Sequence, residues 1–397
     1  MEGKKKILFF INTLNYGGAE RVVSLLAGYL RPDFEVHIAL YQRSISYDIP
    51  AEVVIFDLKE NPGQNNALIF LRLPVIAYKL KRYCSANDIS MVISFLNRPC
   101  YVAAFMKSWW GYKGKLIMCE RSYQSQILKL IGGGSSLYPI ITRRLIHFAY
   151  QRADLVITNS KLSKIDLEHN FGITTPVQVI YNPVDIQLIT KMSMEEKPAC
   201  FSESNYFYYV SVGGFRVEKN FALLLKAFSL IKDKAPIKLV IVGNGVLEKP
   251  LKDQAAELGI SSAVFFCGFQ HNPYKFILNS NCFVLSSSTE GFPNVLLEAL
   301  ACRKTIISTD CQSGPRELLA PSSDPSSQVQ KGYEIAEYGI LTVPADPEAL
   351  AAAMFKIYSD PELRSYFEAK AFERAGNFNV EICNNDFKDA IKSLAGN

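Results

Sequence analysis

The chain has 397 residues, of which 49% are hydrophobic, 12% aromatic and 20% charged, with a net charge of +5. That length exceeds one comfortable core and predicts two domains, while the composition excludes a disordered tail, a coiled coil or a low-complexity fibre. No stretch of about 18 consecutive apolar residues is present, which excludes a membrane-spanning helix.

The opening Lys4-Lys-Lys-Ile-Leu-Phe-Phe-Ile11 imitates an export signal, but its apolar run is five residues and then meets Asn12, so it reads as a first buried strand. Further strands are expected at 34–40, 52–57, 90–95, 115–119, 154–158 and 177–181, with helices at about 18–31, 67–86, 98–109, 137–152 and 161–170. Strands alternating with helices imply a doubly wound parallel sheet covered on both faces. Residues 1–190 carry 22 Lys+Arg against 14 Asp+Glu, whereas the remainder carries 21 against 24. The basic half favours an anionic partner such as a phospholipid headgroup or a lipid diphosphate; a nucleic-acid partner is not expected. In that half, Gln126–Ile131, the break Gly132-Gly-Gly134 and Ile140–Tyr150 mix apolar and basic residues, a pattern shared by a helix lying on anionic lipid and by an ordinary core face.

Residues 186–206 lose the alternation and mark the domain boundary. It then restarts, with strands at 207–212, 237–242, 263–267, 282–286, 304–308 and 339–343 and helices at 219–232, 247–258, 273–280, 294–302, 314–320 and 346–358. The expected organisation is one doubly wound domain over 1–190, a second over 207–372, and a C-terminal helix, 373–397, that packs back on the first domain. Two such units facing each other would bind ligands at the carboxyl ends of their strands.

Candidate chemistry gathers at those ends. Gly17 and Gly18 follow the first strand and open a helix, a pattern that lets backbone N–H groups meet an anion and that a tight turn with positive φ explains equally. Gly213, Gly214, Arg216 and Lys219 follow the first strand of the second half, where a forked and a point cation at a helix mouth suit a diphosphate. Gly243 and Gly268 also end strands, allowing close approach of a ligand or simply forming turns. In Glu290-Gly-Phe-Pro-Asn-Val-Leu-Leu-Glu298, Pro293 reads as an early helical residue and Glu298 lies within the helix, so a carboxylate stands on each side of the helix start. The nine cysteines lack any Cys-x-x-Cys and the four histidines are dispersed, so reduced thiols in a cytosolic protein and no protein-bound metal are expected.

This stretch resembles the Glu-x7-Glu motif of retaining GT-B glycosyltransferases of family 4, the group with a "glycosyl transferases group 1" C-terminal domain. Gly17-Gly-Ala-Glu-Arg21, Glu120-Arg121-Ser122, Ile180–Asp185, Val212–Asn220, Gly243-Asn-Gly245, Thr309–Arg316 and Gly339–Pro344 stand in the matching order, so the likeness covers nearly the whole chain. The resemblance implies that Glu290 contacts the donor sugar and Glu298 the nucleotide ribose. The backbone of Gly291, Phe292, Pro293, Asn294 and Val295 would meet the sugar and diphosphate, and Lys219 the phosphates. The family's arginine usually follows the first glycine, where Gly214 stands, so Arg216 is expected to substitute. The family's histidine after the strand ending at Cys119 is replaced by Glu120-Arg121, a variant similar to enzymes of capsule, O-antigen and lipid-linked oligosaccharide assembly. Arg121 is then expected near the sugar or diphosphate, or else as a salt-bridged loop residue.

The same resemblance implies a retaining, metal-independent transferase without a cofactor. Such an enzyme would move a hexose or N-acetylhexosamine from a nucleotide-diphosphate sugar, UDP-linked, to a glycan on a polyprenyl diphosphate. It would work in the cytoplasm or at the cytoplasmic face of the inner membrane. A GT-B nucleotide-sugar epimerase and a non-catalytic nucleotide-sugar-binding scaffold are the rival readings.

Overall fold

The computed structural model describes residues 4–60, 66–131 and 137–395. The Gly132-Gly-Gly134 break lies outside the described residues. In the first half the apolar runs form β1 (Lys6–Ile11), β2 (Glu35–Leu40), β3 (Val54–Asp57), β4 (Met91–Phe95), β5 (Lys115–Glu120), β6 (Leu155–Thr158) and β7 (Val177–Val179). They make a seven-stranded sheet in the order β3-β2-β1-β4-β5-β6-β7. Every pairing is parallel, with Ile7 of β1 opposite Val36 on one side and Met91 on the other. Because side chains alternate along a strand, β1 feeds two cores: Leu8 and Phe10 enter one, Ile7, Phe9 and Ile11 the other. That is why the run is apolar throughout instead of alternating.

The second half repeats the design with β8 (Phe207–Val212), β9 (Ile237–Val242), β10 (Val264–Phe266), β11 (Cys282–Leu285), β12 (Thr305–Thr309), β13 (Tyr333–Ile335) and β14 (Ile340–Thr342). Its order is β10-β9-β8-β11-β12-β14-β13. The strand β13, unforeseen from the sequence, pairs antiparallel with β14 at the edge of an otherwise parallel sheet. Both sheets run outward in opposite directions from their first strand, so each has a topological switch point, at β1/β4 and at β8/β11.

The chain divides into two compact units, one of residues up to Pro183 with those from Glu381 onward, the other Val184–Val380. The boundary therefore falls earlier than the 186–206 stretch. Asp185 caps a helix Ile186–Ser193 by accepting the Leu188 N–H, and Ile189 and Ser193 are buried against the second unit's helices. A helix of eight residues carries too few turns of apolar repeat to be seen in sequence. The C-terminal 25 residues are likewise not one helix: Pro361–Gly376 belongs to the second unit, and the chain breaks at 377–379 before Val380–Ala395. From that last helix Phe387, Ala390 and Ile391 enter the core of β1, β4 and β5 in the first unit.

Candidate active site

In the second unit the site begins where β8 ends. Phe215 is fully buried, its ring 5.2 Å from Phe221 and 6.3 Å from Phe266, which anchors the loop 213–216. The loop lies on the one after β9: Gly213 N–H donates to Val242 O at 3.0 Å and Phe215 N–H to Asn244 O at 2.7 Å. Gly243 and Gly245 exist for that contact. A Cβ on Gly243 would run into the Gly213 carbonyl, and one on Gly245 would stand 2.6 Å from the Phe215 carbonyl oxygen. These glycines thus admit a neighbouring backbone where a Cβ would stand. Gly268, with φ +64° and open space where a Cβ would be, faces no such neighbour.

After Arg216 a short turn, Val217–Lys219, leads to Asn220, held in the left-handed region at φ +46°. Asn220 caps the helix Phe221–Ser229 by accepting the Leu223 N–H. This turn is tied to the segment after β11. Ser288 N–H donates to Glu218 O at 2.8 Å and Ser286 Oγ to Lys219 O at 3.0 Å. Lys219 Nζ is thereby brought to 2.6 Å from Glu290 Oε1, across 71 residues of sequence, and Ser287 Oγ donates to the same oxygen at 2.6 Å. The pair is mostly withdrawn from water, the Glu290 side chain 9% and that of Lys219 19% exposed. A third loop fixes the carboxylate's backbone: Glu290 N–H donates to Gln312 O and Ser313 N–H to Glu290 O. Ser313 Oγ donates to Gly291 O at 2.7 Å, and Gly314, at φ +94°, lets the two loops touch.

The helix Asn294–Ala301 starts at the expected residue, but Pro293 is its cap at ψ 107° and not part of its first turn. Glu298 is half-buried on this helix. Phe292 turns into the protein, 4% exposed, with its ring 5.4 Å from Phe378. Asn294 and Val295 are half-buried and Gly291 is buried. Arg216 does not join the Lys219–Glu290 pair; its side chain is 64% exposed and its Nε lies 3.0 Å from Glu218. A Cβ on Gly214 would stand 3.6 Å from Arg216 Nε, so Arg216 reaches the space that a side chain at 214 would enter.

The first unit treats its candidates differently. Gly17 is extended, at φ −167°, so no positive-φ turn is present there. Its N–H donates to Tyr47 Oη at 3.2 Å, and the Glu20 carboxylate folds over it at the helix start. The helix Gly18–Leu30 thus carries a carboxylate of its own where an anion was expected. Glu120, at the end of β5, is buried and accepts from Arg121 N–H, Ser122 N–H, Ser122 Oγ, Gln124 Nε2 and Tyr150 Oη, all at 2.7–2.9 Å. Burial pushes its carboxyl up, opposed by the hydrogen bonds from Gln124, Tyr150 and Ser122. Arg121 forms no salt bridge with it, which corrects that alternative. Its guanidinium lies 4.8 Å from the Phe95 ring centroid and 5.4 Å from that of Phe387, and Nη1 donates to Asn182 Oδ1 at 3.1 Å.

Sequence reasoning missed the hydroxyl groups of Ser286 to Thr289 and of Ser313. The signal was there, since four hydroxyl residues in a row directly after a buried strand demand partners. Among the described residues no group of three or more His, Cys, Asp or Glu is arranged to hold a metal ion, and no helix is long and apolar enough to cross a membrane.

Two Rossmann-like units, one with a cation and a carboxylate joined at its switch point, define the class of GT-B proteins. The family described as glycosyl transferases group 1 matches residues 193–374, and glycosyltransferase family 4 matches residues 16–188. The chain belongs to these family 4 glycosyltransferases. It is 34% identical over 394 residues, 99% of this chain and 100% of the relative, to N-acetylgalactosamine-N,N'-diacetylbacillosaminyl-diphospho-undecaprenol 4-alpha-N-acetylgalactosaminyltransferase of Campylobacter jejuni. A second protein of that organism, GalNAc-alpha-(1->4)-GalNAc-alpha-(1->3)-diNAcBac-PP-undecaprenol alpha-1,4-N-acetyl-D-galactosaminyltransferase, is 26% identical over 94% of this chain and 95% of its own. Among solved structures, Anabaena Alr3699/HepE in complex with UDP and glucose matches with a TM-score of 0.76 at 20% identity, over 98% of this chain and 100% of that one.

Proposed function

We propose that the protein transfers an N-acetylhexosamine from a UDP-linked donor to a glycan carried on a polyprenyl diphosphate, with retention of anomeric configuration. The observation that carries this is the Lys219–Glu290 pair, cross-braced from three loops at the β8/β11 switch point. The full-length likeness to the Campylobacter jejuni N-acetylgalactosaminyltransferase supports the sugar and acceptor class.

In this reading Glu290, oriented by Lys219 and Ser287, accepts hydrogen bonds from donor-sugar hydroxyls, and Glu298 holds the ribose. Lys219 sits where it can exchange part of its contact with Glu290 for a phosphate oxygen. The diphosphate leaving group is stabilised by Lys219, by the exposed Arg216 swinging away from Glu218, and by the start of the helix Asn294–Ala301. The acceptor hydroxyl attacks from the face the diphosphate leaves, and a departing phosphate oxygen takes its proton. Arg121 holds the loop after β5 against Phe387 of the last helix.

The acceptor implies work at a membrane surface. In the described part of 126–150, Leu130, Ile140 and Ile141 are exposed. A second apolar patch, Leu71, Val75, Tyr78, Trp109 and Trp110, lies on the helices Asn66–Ala86 and Asn97–Trp110, with Trp110 Nε1 donating to Pro74 O at 2.9 Å. Tryptophan and tyrosine with one apolar and one polar side suit the headgroup boundary.

The test is incubation with UDP-N-acetylhexosamines, alone and with a polyprenyl-diphosphate-linked N-acetylhexosamine, followed by mass spectrometry of lipid and nucleotide products. Lipid elongation lost in Lys219→Ala is the expected result. Interconversion of the sugar without acceptor would instead indicate an epimerase, and nucleotide-sugar binding with no turnover a scaffold.

A further inference from the structure

Seven of the nine cysteines are buried; Cys200 and Cys267 are the two that are half-exposed. They are also the two that meet. Cys200 lies in the turn Ala199–Phe201 and Cys267 directly follows β10, yet their sulfurs are 3.9 Å apart, with Cys267 Sγ donating to Cys200 Sγ. Both backbones are anchored. Phe201, 1% exposed, packs its ring 5.0 Å from that of Tyr208 and 6.3 Å from that of Phe276. Cys267 N–H donates to Ile241 O at 2.9 Å, and its carbonyl accepts from Gln270 Nε2 at 2.7 Å.

We propose that Cys200 and Cys267 are an oxidisable dithiol, a modification site that hydrogen peroxide converts to an intramolecular disulfide. The Cys200 sulfur attacks one peroxide oxygen, the O–O bond breaks, and hydroxide leaves to be protonated to water, giving a sulfenic acid. The Cys267 sulfur then attacks the Cys200 sulfur, the S–O bond breaks, and hydroxide departs with the Cys267 proton as a second water. Two thiols lose two hydrogens and two electrons, and one peroxide becomes two waters. The sulfurs then close from 3.9 Å to about 2.0 Å.

The environment assigns the order of attack. The S–H donated by Cys267 holds the Cys200 thiol below its usual range, while burial pushes Cys84, Cys119 and Cys302 up to about 12. The bond would tie together segments 67 residues apart and pin the end of β10, next to Gly268, whose carbonyl accepts the Gly243 N–H at 2.8 Å.

The experiment treats the full chain with stoichiometric hydrogen peroxide, alkylates under denaturing conditions, and maps unreduced peptides by mass spectrometry. A linked pair containing Cys200 and Cys267, two hydrogens lighter than its parts and separated by dithiothreitol, is the expected product. The other seven cysteines should be alkylated in full. In Cys267→Ser the resolving thiol is gone, so Cys200 should advance to sulfinic acid at the same peroxide dose. The inference is overturned if wild type yields no linked pair, or if Cys200 over-oxidises equally in wild type and in Cys267→Ser. Because the readout is peptide connectivity and not turnover, it stands or fails independently of the proposed transfer reaction.

Discussion

Glu120 closes a parallel strand in one unit and Glu290 lies beyond the carboxyl end of one in the other, and their surroundings are opposite. Glu290 stands at the switch point of its sheet, with a lysine ammonium on one oxygen and its side chain still reachable. Glu120 stands one strand beyond the switch point of its own sheet, fully buried, with five neutral donors around it and its neighbouring arginine turned onto two phenylalanine rings. Neutral donors satisfy a carboxylate and immobilise it; a mobile cation leaves it able to exchange partners when a charged ligand arrives. The second arrangement suits substrate handling and the first suits holding a loop in place.

The largest effect should come from the exchangeable pair. Glu290→Gln and Lys219→Ala should each lower the transfer rate by about 10²–10³, with little change in thermal midpoint. Steady-state assays with labelled UDP-N-acetylhexosamine measure this, and undiminished turnover in either variant would falsify the contrast. Glu120→Ala should do the reverse. It strands several buried donors and should cost about 3 kcal/mol of stability, read as a lower denaturant midpoint, while turnover per folded molecule is preserved.

A pH series sharpens the same point. The buried Glu120 has its folded pKa above its unfolded one, so its contribution is fully present below the ordinary carboxylate range near 4.5 and is lost as pH rises through the folded value. Wild type should therefore gain stability relative to Glu120→Gln as pH falls, in paired urea titrations. The smallest effect belongs to Arg216, exposed and already engaged with Glu218. Arg216→Ala should lower kcat/KM about tenfold. Adding Gly214→Arg to that variant should restore part of it, since an arginine there starts beside the space Arg216 occupies.

The strands were legible because a parallel sheet covered on both faces needs unbroken apolar runs, and Phe9, Ile93 and Val240 could be placed from that alone. The helix Gln124–Ile131 was not. With one short apolar stripe and lysine among it, Gln126–Ile131 reads equally well as a lipid-facing surface. Glu290 was singled out by the resemblance of its motif to a known family, but its contact with Lys219 could not be foreseen, because nothing local records an approach across 71 residues. Glycines show the same limit. Gly243 and Gly268 look alike in sequence, yet one accommodates a backbone and the other faces open space.

The last helix, Val380–Ala395, belongs to the unit begun by residue 4 and not to the unit it follows. During synthesis, residues 184–380 emerge with all their own strands and helices while the first unit still lacks Phe387, Ala390 and Ile391 from its core. The second unit can therefore complete its folding first, and the first must wait for the helix Val380–Ala395. A ribosome stalled once residue 380 has emerged would hold a chain whose incomplete half is the one made earliest.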